Sequence, residues 1–238
     1  MNRNEDGNGV GIRSDRALQS ADYRIDADGW CAAARRVPSP NCDARGFAID
    51  SIAVPDLLII HNISLPPGQF GGHYIEDFFC NRLDHAADPY FDQLRPLRVS
   101  AHFLIRRDGR LVQFVPTVAR AWHAGESRFG KRERCNDFSI GIELEGTDVD
   151  PFTPSQYDTL VQLTATLQAR HSLTDVAGHE HVAPGRKTDP GPCFDWESYQ
   201  RAYRHACNGD HARGATIGAP PTALADSGLR FPSLPRRV

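Results

Sequence analysis

The chain has 238 residues, with 27 Lys+Arg against 30 Asp+Glu and a formal net charge of −3. Hydrophobic residues make up 40% and charged residues 24%, which supplies one sizeable core and excludes a fibrous, collagenous or fully disordered chain. The near-neutral balance argues against a nucleic-acid partner, because such binding rests on a basic face that displaces counterions from phosphates.

Residues 1–28 are polar, rich in Gly, Asp, Asn and Arg, and without a sustained period, so they are expected to be a flexible leader. They contain no apolar segment of the secretory type, and no stretch approaches the roughly 18 apolar residues of a spanning helix. The expectation is a cytoplasmic protein with no membrane partner. The folded domain is placed at 29–207. Within it, Leu57–Ile63 is a short apolar run between Pro55 and Pro66-Pro67, the pattern of a buried strand. Gly72–Arg82 reads as a short helix. His102–Ile105 and Leu111–Val115 flank Asp108-Gly109, a hairpin signal. Phe138–Leu144 alternates as a strand does. Thr153-Pro154-Ser155-Gln156 opens a helix with a capping box, and Leu160, Leu163 and Leu167 carry it to about His171. Trp196, Tyr199 and Tyr203 mark a closing helix over Asp195–Cys207. Residues 208–238, with Pro220, Pro221, Pro232 and Pro235, are expected to form a second tail that fills no core face. Interspersed strands and helices, with one hairpin, predict a single mixed α/β domain: a central mixed sheet flanked by helices.

The six cysteines include no CxxC pair, so reduced thiols within the packing are expected. Of the ten histidines, His73, His85, His171, His205 and His211 lie in polar contexts and are expected at the surface. His61 differs, because it ends an apolar strand; it is either a hydrogen-bonded core histidine or a ligand. Ala177-Gly178-His179-Glu180-His181 is not an HExxH zinc helix, since the second histidine would fall at Ala183. The loop Ala183–Pro192 is stiffened by three prolines and presents Lys187 and Asp189, as a site loop or as a solvated turn. Glu143 shares a strand face with Gly141 and Glu145. That face is either the solvated side of an antiparallel strand or a floor on which burial raises the carboxyl pKa. Together His61, His179 and Asp189 could supply the two imidazoles and one carboxylate of a catalytic zinc, with Glu143 as proton acceptor and Lys187 as cation. Spacing alone leaves this open.

Five blocks in order narrow the choice: Leu58–Gly68 (LIIHNISLPPG), Arg98–Gly109 (RVSAHFLIRRDG), Ala121–Gly125 (AWHAG), Arg132–Asp148 (RERCNDFSIGIELEGTD) and Ala183–Pro192 (APGRKTDPGP). They resemble the zinc-dependent N-acetylmuramoyl-L-alanine amidases, a family related to peptidoglycan recognition proteins and phage amidases, and most narrowly its AmpD-type members. The resemblance runs from about Gly29 to Tyr203. It implies the amidase fold, one Zn2+ per chain held by His61, His179 and Asp189, and catalysis by Glu143 and Lys187. It also implies that Arg98, Arg134, Asn62 and Trp122 bind substrate, and that His102 and His123 are structural or substrate-adjacent. The implied substrate is an anhydro-muropeptide, cut between the lactyl group and L-alanine by a monomer in the cytoplasm. An amidase of intact peptidoglycan and a zinc-free muropeptide-binding regulator are the competing expectations; the intact ligand positions weigh against the second.

Overall fold

The computed structural model describes residues 22–48, 51–52, 54–209 and 228–232. Six strands form its main sheet: β1 (Arg35–Arg36), β2 (Leu57–Ile63), β3 (Phe103–Ile105), β4 (Leu111–Gln113), β5 (Ser139–Glu145) and β6 (Asp175–Gly178). Their spatial order is β1-β4-β3-β5-β2-β6. Only the β3–β4 hairpin is antiparallel; every other neighbouring pair is parallel. The mixed sheet is therefore as expected, but β5 is not a half-solvated antiparallel strand. It lies between two parallel partners, and all seven of its residues are buried. Parallel strands covered on both faces bury both sets of side chains, so Glu143 and Glu145 lie on a covered floor.

One face of the sheet presents Leu58, Ile60, Phe103, Ile105, Ile140, Ile142 and Leu144. It packs against α2 (Pro154–His171) and α4 (Trp196–Gly209) through Leu160, Leu163, Leu167, Tyr199 and Tyr203. The capping box of α2 forms as predicted: Thr153 Oγ1 accepts from Gln156 N, and Gln156 Oε1 accepts from Thr153 N. The buried Gln156 amide also donates to the carbonyls of Ile105 and Glu145, so the cap fastens α2 to β3 and β5. The other face carries Leu104 and Val112 under the short helix α1 (Tyr74–Phe79), two residues shorter at its start and three at its end than the sequence suggests.

The expected tails meet the core at two places. Tyr23 and Ile25, on the leader side of residue 28, pack against the main cluster. Leu229 is buried and Phe231 sits against Tyr199 and Tyr203, contrary to the expectation that nothing after 207 fills a core face. The cause is the sheet edge. β6 is the last strand, and its outer backbone bonds with Arg230: Val176 N donates to Arg230 O, and Arg230 N to Thr174 O. The Arg230 guanidinium also pairs with Asp175 at 2.6 Å. His171 is a second departure. It is buried, with Nε2 2.8 Å from Thr117 Oγ1, because the last turn of α2 points it inward. All six cysteines are free thiols. His211 lies outside the described residues.

Candidate metal centre

Three neighbouring parallel strands, β5, β2 and β6, bring the site together at their carboxyl ends. In the β5–β2 register Glu143 stands directly beside His61, so both side chains leave the same face. His179 follows β6 immediately, as the first residue of α3 (His179–Val182). Asp189 comes from the proline-rich loop, which is tied back by Glu180 N to Asp189 O at 2.9 Å and by Asn62 Nδ2 to Pro190 O at 3.1 Å. His61 Nδ1 lies 3.0 Å from His179 Nδ1 and 3.0 Å from Asp189 Oδ2. His179 Nδ1 and Asp189 Oδ2 are 3.1 Å apart. His61 and His179 are buried and Asp189 is half-buried.

Electrostatics follow the packing. Burial, then the charge of His179, lowers His61 to about 4 against the support of Asp189, so the imidazole stays neutral at ordinary pH. Burial alone would raise the Asp189 carboxyl, but its bonds with the two imidazoles outweigh that and hold it well below the usual carboxylate range. Glu143 moves the other way: burial, then the negative charge of Asp189, raises its carboxyl well above the ordinary value, and the Lys187 ammonium opposes both. Glu143 Oε2 is buried with no hydrogen-bond partner, an orphan acceptor on the floor of the site.

The remaining sequence-derived candidates have their own places. Lys187 is exposed, and its charge acts on both Glu143 and His61. Asn62 uses its amide group on Asp148 Oδ1 at 2.6 Å and on Pro190 O, which makes it a tether of the proline-rich loop. Trp122 is half-buried beside His123 in sequence. Arg98 and Arg134 are exposed and locally engaged: Arg98 donates to the carbonyls of Arg95 and Leu97, and Arg134 pairs with Asp137 at 3.2 Å. Local sequence pattern does not reveal the layer behind the two imidazoles. His61 Nε2 lies 2.9 Å from His123 Nδ1, and His179 Nε2 lies 3.1 Å from the Ala124 carbonyl. The available signal was Gly141, a glycine inside a strand, which marks a close approach.

Residues 52–192 match the family model described as N-acetylmuramoyl-L-alanine amidase. The chain belongs to this family. The amidase is 54% identical over 174 residues to the 1,6-anhydro-N-acetylmuramyl-L-alanine amidase AmpD of Salmonella typhimurium, covering 72% of this chain and 91% of that protein. It is 52% identical over 174 residues to the AmpD of Escherichia coli K12, covering 72% of this chain and 93% of that one. Among solved structures, the crystal structure of a selenomethionine AmpD derivative superposes with a TM-score of 0.70 at 53% identity, covering 76% of this chain and 97% of the other. The solution structure of Citrobacter freundii AmpD gives 0.55 at 48% identity, covering 81% and 99%. The amidase is thus a hydrolase with a mixed α/β fold. Among its described residues, no helix is long and apolar enough to cross a membrane.

A separate cavity of about 720 Å³ is lined by Arg35, Glu76, Arg106 and Arg110 and includes none of the three clustered residues. Its charges already serve one another. Arg35 and Arg106 both pair with Glu76, Arg106 reaches buried Glu145, and Arg110 pairs with Asp108.

Proposed function

We propose that this amidase is zinc-dependent and cleaves the amide between the lactyl group of 1,6-anhydro-N-acetylmuramic acid and the L-alanine of muropeptides, in cytoplasmic recycling of peptidoglycan. The observation that carries the reading is the convergence of His61 Nδ1, His179 Nδ1 and Asp189 Oδ2 beside a buried, unpartnered carboxyl oxygen of Glu143. The donor set suits zinc. Ligands at about 2.0–2.1 Å in a tetrahedron stand about 3.3 Å from one another, close to the 3.0–3.1 Å separations here. Metal binding requires neutral imidazole and ionised carboxylate ligands; burial keeps His61 neutral, and the bonds to the two imidazoles keep Asp189 ionised. Such a zinc would polarise the scissile carbonyl and bring the pKa of a water towards about 7.

The chain's own groups do the rest. Glu143 Oε2 accepts a proton from the attacking water, whose oxygen forms the new bond to the carbonyl carbon. The same carboxyl then hands that proton to the nitrogen of L-alanine as the C–N bond breaks, leaving a free acid and a free amine. A raised pKa suits both halves of this shuttle, since the ideal acid–base group titrates near the working pH. Lys187, exposed at the mouth, offsets the negative charge that grows on the carbonyl oxygen. Arg98 and Arg134 can release their local partners to pair with carboxylates of the peptide stem, and Trp122 offers an apolar surface to the sugar. Asn62 acts by holding the ligand loop. The protein works as a monomer on a small-molecule substrate, with no nucleic-acid or membrane partner.

The test is incubation of the pure protein with an anhydro-muropeptide, with chelator, and with chelator followed by zinc, read by mass spectrometry. Peptide with a free L-alanine amine is expected in the untreated and zinc-restored samples. Cleavage that survives chelation would sink the zinc assignment. Cleavage confined to intact peptidoglycan would sink the substrate assignment, and fractionation of a reporter fusion checks the compartment.

A further inference from the structure

The hydrogen bonds behind the two imidazoles can be followed proton by proton. Ser139 Oγ lies 2.6 Å from the Cys135 carbonyl, which can only accept, so the hydroxyl donates there. Ser139 Oγ therefore accepts from His123 Nε2, 3.2 Å away. With its proton on Nε2, the buried neutral His123 ring turns the Nδ1 lone pair towards His61 Nε2, and His61 must donate across the 2.9 Å gap. The lone pair of His61 then sits on Nδ1, facing His179 and Asp189. For His179 the partner is the Ala124 carbonyl, again acceptor only, so His179 also carries its proton on Nε2 and its lone pair on Nδ1.

Both partners come from consecutive residues, and that short segment is itself pinned. Asn136 Oδ1 accepts from His123 N at 3.1 Å and from Ala124 N at 2.8 Å. Arg186 donates to the same Ala124 carbonyl at 2.8 Å, using its second lone pair. The His123 ring has a seat on β5: a Cβ on Gly141 would stand 2.5 Å from His123 Nδ1. Real Cβ atoms do not come that close, so glycine at 141 is what lets the ring lie between His61 and Ser139.

We propose that His123 and Ala124, clamped by Asn136 and seated on Gly141, form one outer bracket that fixes the tautomer and aim of both imidazole ligands. This rests on the zinc reading of His61, His179 and Asp189. His123 and Ala124 are positioning residues that act through His61 and His179. Such outer partners typically change metal affinity by about 10- to 100-fold.

The experiment is competition for zinc between the full-length protein and a chromophoric chelator, with the cobalt-substituted absorption spectrum as a second readout. His123→Phe keeps a ring but removes the acceptor, and should weaken zinc binding by about 10- to 100-fold and alter the cobalt spectrum. His123→Asn, which restores an acceptor near the Nδ1 position, should recover most of the affinity. Gly141→Ala should resemble His123→Phe, and the double variant should be no worse than either single one, because both act through the same ring. Asn136→Leu against Asn136→Asp gives an independent comparison that leaves every histidine in place; the Leu variant should bind more weakly, by tenfold or more. Equal zinc affinity in wild type, His123→Phe and Asn136→Leu would overturn the bracket while leaving the centre intact. A wild-type protein that takes up no zinc would overturn the centre, and the bracket with it.

Discussion

Glu143→Gln separates catalysis from stability within one side chain. The register fixes Glu143 beside His61, and β5 is paired on both edges, so an isosteric amide should keep the backbone, the volume and the three ligands in place. The amide cannot take a proton from water or return one to the leaving amine. Losing a positioned general acid–base group lowers turnover by about 10²- to 10⁴-fold, which is about 2.7–5.4 kcal/mol at 1.36 kcal/mol per tenfold. Stability should move the opposite way. Burial and Asp189 raise this carboxyl, so the folded chain holds its proton more tightly than the unfolded one. As pH rises above about 4.5 the unfolded chain ionises first, and the folded state loses stability until its own carboxyl ionises. Each unit of that difference is worth about 1.4 kcal/mol, or roughly 3–6 °C in Tm for a domain of this size. In metal-free protein Glu143→Gln should therefore melt above wild type at pH 7, with the gap closing towards pH 4. Turnover by mass spectrometry, zinc content and Tm against pH are the three assays. Turnover within tenfold of wild type would refute the proton-shuttle role. Lost zinc would refute its standing apart from the ligands, and coincident melting curves would refute the burial argument.

Two further outcomes rest on buried charges away from the centre. Glu145 is almost wholly buried and accepts from Gly71 N, Arg106 Nη1 and Arg107 N, tying the loop after β2 to the β3–β4 hairpin. Glu145→Ala should cost about 2–6 kcal/mol by stranding two backbone donors, with Arg106 left to Glu76 alone, a fall of roughly 4–24 °C in Tm; a drop below about 2 °C would count against the network. His171 is lowered to about 4 by burial and then by the charges of Arg170 and Arg45. Its contribution is intact above about 6.5, where neither state is protonated, and is lost as pH falls from there to about 4, up to roughly 3 kcal/mol. His171→Gln should flatten that part of the Tm-against-pH curve, and an unchanged slope would show the histidine to be solvated.

The elements that announced themselves in sequence are those whose signal is local. The Thr153–Gln156 capping box and the Asp108-Gly109 hairpin depend on neighbours within a few residues, and both form. The buried strand Leu57–Ile63 was legible because both of its faces are apolar. What local patterning could not supply was partnership. Leu229 and Phe231 look like residues of a proline-rich tail until β6 is known to be an unpaired edge that can recruit them. His171 looks polar and terminal until the last turn of α2 is seen to point it at Thr117. Asn62 is a site residue only through the family resemblance; a strand sends successive side chains to opposite faces, so it leaves the face opposite His61, and its amide bonds Asp148 and Pro190.

For the same reason the site could be listed from sequence but not assembled from it. Positions 61, 143 and 179 are far apart in the chain, and only the strand order β5-β2-β6 makes them neighbours. All three lie at or just beyond the carboxyl ends of parallel strands, where open α/β sheets leave a crevice because the chain must turn away at each strand end. With β5 paired in parallel on both edges and buried along its length, Glu143 is shielded from solvent, and the register sets it beside His61. The open choice between a solvated carboxylate and a buried one then closes on the burial of β5. Gly141, two residues earlier on the same face, follows from that geometry, since the floor has to leave room for the ring of His123. One face of one strand thus holds the Glu143 carboxyl, the hollow that seats the ring of His123 and, in Ser139, the hydroxyl bonded to that ring.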